Sequence, residues 1–310
     1  MNNPAYIIRS YQPADFNSFA LMKTEAEKLK PAGRCLSLQG IAKYLARPNY
    51  LPERDLLMVE TGGNTIGYMD ITWERLIRRV ILDCWIHPEH RRRGLATKLL
   101  SCALPRAKEL GARVAHVNVM EDEDNEVARR VLAKLGFQCV RRFLELRLDT
   151  ARFCRQDIDP VALECRPLGH GEEDKLTQIQ NRCFAGSWGY NPNTVEEIIY
   201  RINLSGCSAD DILLTYEGDR AIGYCWTEVI PGRGATEREG RISMLGTEPE
   251  HRGKGVGKRV LTAGLAHLNS KGARVIEVTV DSGNEAALAL YRSAGFEVCT
   301  SSLWYEKVIN

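Results

Sequence analysis

The chemistry most legible in this 310-residue chain is anion binding. Arg252-Gly253-Lys254-Gly255-Val256-Gly257 has the pattern R-x-x-G-x-G. It opens a stretch, Gly255 to Ser270, with apolar residues at 256, 260, 261, 265 and 268, the spacing of a helix. Glycines let backbone approach an anion without a Cβ in the way. Unpaired N–H groups at a helix start then point at it, with the positive end of the dipole behind them. Arg252, Lys254, Lys258 and Arg259 add countercharge for phosphates. The plainer alternative is a glycine turn with a solvated basic helix end. Two other phosphate loops are excluded. In a Walker A loop the Gly257-Lys258 pair would be followed by Ser or Thr, and here Arg259 follows. A dinucleotide G-x-G-x-x-G counted from Gly253 or Gly255 would end on Lys258 or Val260.

The loop occurs twice. His90-Arg91-Arg92-Arg93-Gly94-Leu95-Ala96 returns as His251-Arg252-Gly253-Lys254-Gly255-Val256-Gly257, an offset of 161. Gly111-Ala112-Arg113-Val114 returns as Gly272-Ala273-Arg274-Val275 at the same offset. Asn125-Glu126 and Gly136-Phe137 return at Asn284-Glu285 and Gly295-Phe296, offset 159, and Ile66-Gly67-Tyr68 at Ile222-Gly223-Tyr224, offset 156. A period this long is a duplicated domain, and small offset changes are loop-length differences. The domains are expected at 1–150 and 161–310, with a linker over 151–160 where Asp157-Ile158-Asp159-Pro160 breaks the strand pattern.

The second copy shows the elements that must carry the loop. Leu163 to Pro167 reads as a strand and Glu172 to Ala185 as an amphipathic helix. Thr194 with Glu197 three residues on is a capping box. Asp211–Tyr216 and Ala221–Val229 form a hairpin about Glu217-Gly218-Asp219-Arg220. Arg241–Thr247 is a strand into the loop. After the loop's helix come a strand at Arg274–Val280, a helix at Asn284–Ser293 and a strand at Phe296–Val308. The order β-α-α-β-β-β-α-β-α-β makes an α/β fold, a mixed sheet with helices on its faces, in each domain.

Composition narrows the function. Apolar residues are 44% and charged residues 26%, with net charge +2, so no basic excess suggests nucleic acid. Ten cysteines include no C-x-x-C pair, and most sit in apolar runs, which reads as reduced core thiols in a cytoplasmic protein. No apolar stretch approaches the roughly 20 residues a bilayer crossing needs. His87 and His90 are spaced i,i+3 with no third ligand evident, so no metal is expected. A monomer or homodimer is expected.

Both halves resemble GCN5-related N-acetyltransferase (GNAT) domains. The resemblance is carried by Arg252-x-x-Gly255-x-Gly257 and by Asn284-x-x-Ala287-x-x-x-Tyr291-x-x-x-Gly295-Phe296, and is strongest over 77–147 and 238–308. It implies a mostly antiparallel, splayed sheet and acetyl-CoA as co-substrate. The pyrophosphate would lie on Arg252, Gly253, Lys254, Gly255, Val256, Gly257 and Lys258. Leu245 N–H would meet the acyl carbonyl, the Thr247 backbone the pantetheine, and Asn284 the cofactor, unless it is only a helix cap. The family reaction is attack of a neutral primary amine, from a small molecule or a peptide N-terminus, on the thioester. Tyr291, two helical turns after Asn284, would give the departing thiolate its proton, a role worth about 10²–10⁴ in rate. Glu228 and Glu239 are candidate bases, against the plain reading of solvated carboxylates beside a hairpin. Phe184, Trp188 and Tyr190 would line an acceptor pocket or simply pack as core. Two such domains in tandem are similar to mycothiol synthase architecture, whose acceptor is a cysteinyl pseudo-disaccharide. Arg241 stands where those enzymes place a glutamate, which argues against that substrate.

The first copy differs. Its loop, with Ile86 before it and Arg91, Arg92, Arg93, Gly94, Leu95 and Ala96 in it, is a possible second phosphate site. Seven residues after Asn125 stands Leu132, not tyrosine, and Asp122, Glu123 and Asp124 crowd the approach. The N-terminal domain is therefore expected to be degenerate and the C-terminal one catalytic. The competing class is a CoA-binding regulatory or scaffold protein without turnover.

Overall fold

A computed structural model describes residues 5–28, 37–122, 125–152, 164–204, 208–231 and 238–309. The chain divides into two compact units, Met1–Arg141 with Ser302–Asn310, and Arg142–Ser301. The first repeat runs β1 (Ile7–Ser10), α1 (Phe16–Lys28), α2 (Leu38–Leu45), α3 (Pro52–Asp55), β2 (Leu56–Thr61), β3 (Asn64–Glu74), β4 (Arg79–Ile86), α4 (Leu95–Glu109), β5 (Val114–Met120), α5 (Glu126–Lys134) and β6 (Gln138–Asp149). The second runs β7 (Arg166–Pro167), α6 (Glu173–Phe184), α7 (Val195–Ile202), β8 (Ile212–Glu217), β9 (Arg220–Pro231), β10 (Arg238–Thr247), α8 (Val256–Ser270), β11 (Ala273–Asp281), α9 (Glu285–Ser293) and β12 (Glu297–Val308).

The predicted elements are present with shifts of a few residues. Thr194 caps α7 in the expected reciprocal box, its hydroxyl accepting from Glu197 N at 3.2 Å and Glu197 accepting from Thr194 N at 2.9 Å. Gly218 turns the β8–β9 hairpin.

The units are not the contiguous halves expected from the repeat. Strand order is β1-β2-β3-β4-β5 closed by β12 in the first unit, and β6-β11-β10-β9-β8-β7 in the second. Ser302–Val308 pairs antiparallel with Met120–Val114, and Phe143–Asp149 with Asp281–Val275. Each repeat thus lends its final strand to the other's sheet. A break in sequence pattern marks where a strand ends, not which sheet it joins. Residues 142–150 belong to the second unit and 302–310 to the first. Of the expected linker 151–160, all but Ala151 and Arg152 lie outside the described residues.

Each sheet is packed on both faces. In the first unit, α4 and α5 cover a core including Val59, Ile71, Leu99 and Phe137, and α1 and α2 cover the other face through Phe19, Ile41, Met58 and Tyr68. In the second, α8 and α9 cover Leu146, Cys225, Val260, Val278 and Tyr291, while α6 and α7 cover Leu176, Ile198, Tyr224 and Trp226. The one parallel contact in each sheet is short. β4 pairs β5 only over Arg79–Ile81, and β10 pairs β11 only over Arg238–Ile242. Beyond those points the strands part, which is the expected splay. Of the seven described cysteines, only Cys183 and Cys225 are buried, and Cys102, Cys139 and Cys299 are exposed. Cys84 and Cys165 are half-buried and pack against the cores, so four of the seven sit as the core reading expects, while Cys102, Cys139 and Cys299 do not.

Candidate active site

The loop of the second unit has the geometry its residue types suggest. Thr247 ends β10, a 3-10 turn spans Pro249–His251, and α8 begins at Val256 with Gly255 as a left-handed N-cap, φ 81°. No side chain caps this helix. Its first ladder bond runs from Arg259 N to Gly255 O at 3.0 Å, so the N–H groups of Val256, Gly257 and Lys258 have no acceptor within the helix. A Cβ on Gly253 or Gly255 would meet nothing within 4 Å, so the ground in front of those groups is open. A Cβ on Gly257 would touch Thr247 Oγ1 at 3.4 Å and Leu290 Cδ2 at 3.5 Å, which puts α9 beside the helix start. Lys254 and Lys258 are exposed beside the N–H cluster. These residues fit a pyrophosphate. Arg252 has other work: its guanidinium donates to Cys183 O at 2.7 Å and to Thr247 O at 3.4 Å, tying the loop to the end of α6.

The splay carries a feature that spacing alone missed. β10 pairs with β9 in one register through Ile242–Thr227, then resumes at Met244–Trp226. Ser243 is the extra residue of a bulge, and its buried hydroxyl has no hydrogen-bond partner among the described residues. A bulge interrupts the ladder and re-aims backbone. It lies just before Leu245, whose N–H was expected to face the acyl carbonyl. The signal was present in the offsets. Ile66 to Pro88 is five residues shorter than Ile222 to Pro249, and one of those five is Ser243.

Tyr291 lies on the buried side of α9, 5% exposed, edge-on to Phe296 at 5.6 Å between ring centres. Its hydroxyl makes no hydrogen bond among the described residues. Burial, and then the nearby Cys225 thiol, lift it well above an ordinary phenol. It therefore holds its proton throughout the neutral range, as a donor must. Asn284 is a helix cap, accepting from Ala287 N at 3.1 Å.

The face of this sheet away from α8 is charged. Glu277 on β11 pairs with Arg147 on β6 at 2.5 Å and with Arg241 on β10 at 3.3 Å. Glu228 is opposite Arg241 across the β9–β10 ladder. Glu239 pairs with Val275, three residues before the last parallel pair, toward the closed end of the splay. Phe184 and Tyr190 stack at 5.3 Å, and Trp188 lies 6.0 Å from Phe143 of β6. Phe184 ends α6, and Trp188 and Tyr190 follow it in the α6–α7 connection. Arg147, Phe143 and Glu145 escaped the sequence reading because they stand in the first repeat's last strand. Only the strand exchange brings them here.

The first unit keeps the loop's outline. Gly94 is the left-handed N-cap of α4, φ 73°, again without a side-chain cap. Arg92 takes the left-handed place of Gly253 with φ 62°. Arg91 donates to Ile86 O at 3.0 Å, and Arg93 to the Tyr6 hydroxyl at 2.6 Å. Leu95 is buried and Ala96 half-buried. The β3–β4 ladder runs from Gly67–Ile86 to Glu74–Arg79 with no bulge. Leu132 is core, and Asn125 is held by Asp122 at 2.8 Å instead of capping α5. Glu123 and Asp124 lie outside the described residues. His87 and His90 do have a third neighbour, Glu89, with ligand-capable atoms within 4.8 Å. In the second unit Glu250 replaces Glu89 and Glu248 stands at the place of His87, where it is occupied by Arg182 at 2.5 Å and Arg220 at 2.7 Å.

A splayed sheet, a bulged strand and an uncapped glycine loop together define an acyl-transferase scaffold. The family model described as "Acetyltransferase (GNAT) family" matches residues 27–137 and 174–296. The chain belongs to that family, once in each repeat, and is an acyltransferase. It is 32% identical over 242 residues to the mycothiol acetyltransferase of Amycolatopsis mediterranei (strain U-32), covering 76% of this chain and 78% of that one. It is 30% identical to the Kocuria rhizophila mycothiol acetyltransferase, over 70% of this chain and 72% of that one. Among solved structures, a GCN5-related N-acetyltransferase from Sphaerobacter thermophilus superposes with TM-score 0.70 at 20% identity, covering 98% and 96% of the two chains. A tandem GNAT protein from the clavulanic acid biosynthesis pathway gives 0.73 at 15%, covering 99% of each. These two show a shared fold. No helix among the described residues is long and apolar enough to cross a membrane.

Proposed function

We propose that the second unit transfers an acetyl group from acetyl-CoA to a primary amine by direct attack. The observation that carries this is the uncapped start of α8, with three N–H groups lacking helical acceptors, beside a bulged and splayed β10. The loop would hold pyrophosphate through those N–H groups with Lys254 and Lys258. The acyl carbonyl would lie in the splay near Leu245 N–H, where a donor stabilises the developing oxyanion. The amine enters from the α6–α7 side, loses a proton, and attacks. The carbon–nitrogen bond forms, the carbon–sulfur bond breaks, and Tyr291 protonates the thiolate.

A second reading concerns the acceptor. Similarity to two mycothiol acetyltransferases favours a cysteinyl pseudo-disaccharide. Arg241, paired with Glu277 where a glutamate would be needed, weighs against it.

The test is thiol release from acetyl-CoA with a cysteinyl glucosaminide, an aminoglycoside, amino acids, a polyamine and a peptide N-terminus. Wild type turns over at least one amine. Tyr291→Phe loses about 10²–10⁴-fold in turnover while binding acetyl-CoA as before. Binding without turnover of any amine would instead make the chain a CoA-binding regulator or scaffold.

A further inference from the structure

On the charged face of the second unit, one carboxylate at the mouth of the splay makes no hydrogen bond or ion pair among the described residues. Glu145 stands on β6, half-buried, directly across from Thr279 of β11. Val278 is the last β11 residue paired with β10, so Thr279 is the first beyond the point where the splay opens. Glu145 is therefore at the mouth of the splay, one strand away from it. Side chains alternate along strands, so Glu145 shares its face with Arg147, and Thr279 with Glu277.

Four groups face Glu145: Glu277 from β11, Arg241 from β10, Arg147 from its own strand, and Cys299 at the start of β12, whose thiol donates to Glu145 O at 3.2 Å. Glu277 takes both arginines in ion pairs, at 2.5 and 3.3 Å. Glu145 is left over: among the described residues its carboxylate makes no hydrogen bond and no ion pair. Burial comes first among the influences on it and raises its pKa. Glu277 raises it further, and Arg241 and Arg147 pull the other way without cancelling the rise. A half-buried, unpartnered acid beside a paired one is how a fold gives two carboxylates different roles. Glu277 is fixed as a structural anion. Glu145 is free to meet a cation.

We propose that Glu145, carried into the second unit by strand exchange, is the group that receives the acceptor's ammonium and takes its proton, directly or through one water. This rests on the acetyltransferase reading above and deepens it. It prefers Glu145 to Glu228 and Glu239, and defines the acceptor class as an amine that arrives protonated. The balance is simple. The ammonium gives one proton to the Glu145 carboxylate, which passes it to solvent. The neutral amine attacks the thioester carbonyl and the carbon–sulfur bond breaks. Tyr291 protonates the thiolate and regains its proton from the nitrogen of the collapsing adduct.

The experiment is the pH profile of kcat/KM with acetyl-CoA and whichever amine of the panel above wild type turns over fastest, wild type against Glu145→Gln. Wild type should hold its rate to well below the amine's own pKa. The variant should fall about 10²-fold on that acidic side and converge with wild type in alkali, where the amine is already neutral. Its acetyl-CoA affinity should not change. A profile of unchanged shape, merely scaled, overturns the inference while leaving the acetyltransferase reading intact. Wild type without turnover of any amine in the panel above sinks that reading, and this inference with it. Should Glu145→Gln fail to fold, Glu145→Asp carries the test. It should keep the acidic limb but lose rate, and an unaltered rate overturns the proposal.

Discussion

Arg92 and Gly253 occupy the same place in two copies of one loop, and both have left-handed backbone. For glycine that conformation is free; for an L-residue it costs about 1–2 kcal/mol. The first unit nevertheless keeps the turn, the left-handed Gly94 and the uncapped helix start. The outline of a phosphate loop therefore survives as a way of joining a strand to a helix. The units diverge past the loop. The first has no bulge in its β3–β4 ladder, has Leu132 in place of Tyr291, and fills its acceptor side. The burial pattern of α1 at 19, 20, 22, 23 and 26 recurs in α6 at 176, 177, 179, 180 and 183, which sets Lys23 against Gln180. Strand pairing likewise sets Asp83, opposite Asp70, against Met244, opposite Trp226. In the first unit Lys23 ion-pairs with Asp83 at 2.6 Å and lies 5.2 and 5.1 Å from the ring centres of Tyr44 and Tyr68. Burial alone would discharge this lysine, but Asp83, Tyr68 and Asp70 outweigh it and raise its pKa. An internal ammonium is seated where the second unit sets Gln180 on Met244 Sδ at 3.0 Å. Trp85 adds an indole where the second unit has Gly246, whose Cβ would strike Tyr224 and Cys183. A shared loop thus says little about a shared activity. What fills the splay and the acceptor face says more.

Substitutions at three positions of the first unit sharpen that contrast without touching the proposed chemistry. Lys23→Met strips one partner from a buried pair and should cost about 1–3 kcal/mol of stability, read by urea unfolding. The double change Lys23→Gln with Asp83→Met copies the second unit and should recover most of the loss. No loss in the single variant would mean the pair does not hold this face together. Arg92→Gly should act in the opposite direction and less, adding about 1 kcal/mol and a few degrees of Tm with turnover unchanged. Lower turnover would give the first loop a part in catalysis.

Much of this was legible in the sequence. The repeat, the alternation of elements, the Thr194 capping box and the two glycine loops rest on short-range patterns, and the fold has them all. The strand exchange does not. Gln138–Asp149 and Glu297–Val308 are both terminal strands of their repeats, and nothing local tells either which sheet to complete. Glu145 and Arg147 were hidden for that reason, read as part of a domain they leave. The Ser243 bulge was submerged in a five-residue offset change that a longer hairpin would equally explain. Arg252 was assigned to phosphate from its charge and its place in the R-x-x-G-x-G loop, whereas its carbonyl partners depend on where α6 ends.

The central claim is that one of the two loops serves the reaction. Calorimetric titration of acetyl-CoA into wild type, Gly94→Trp and Gly255→Trp tests it most directly. The expected result is one strong site per chain, kept with Gly94→Trp and lost, together with turnover, with Gly255→Trp. Loss of binding and turnover in Gly94→Trp, with Gly255→Trp intact, would contradict the assignment.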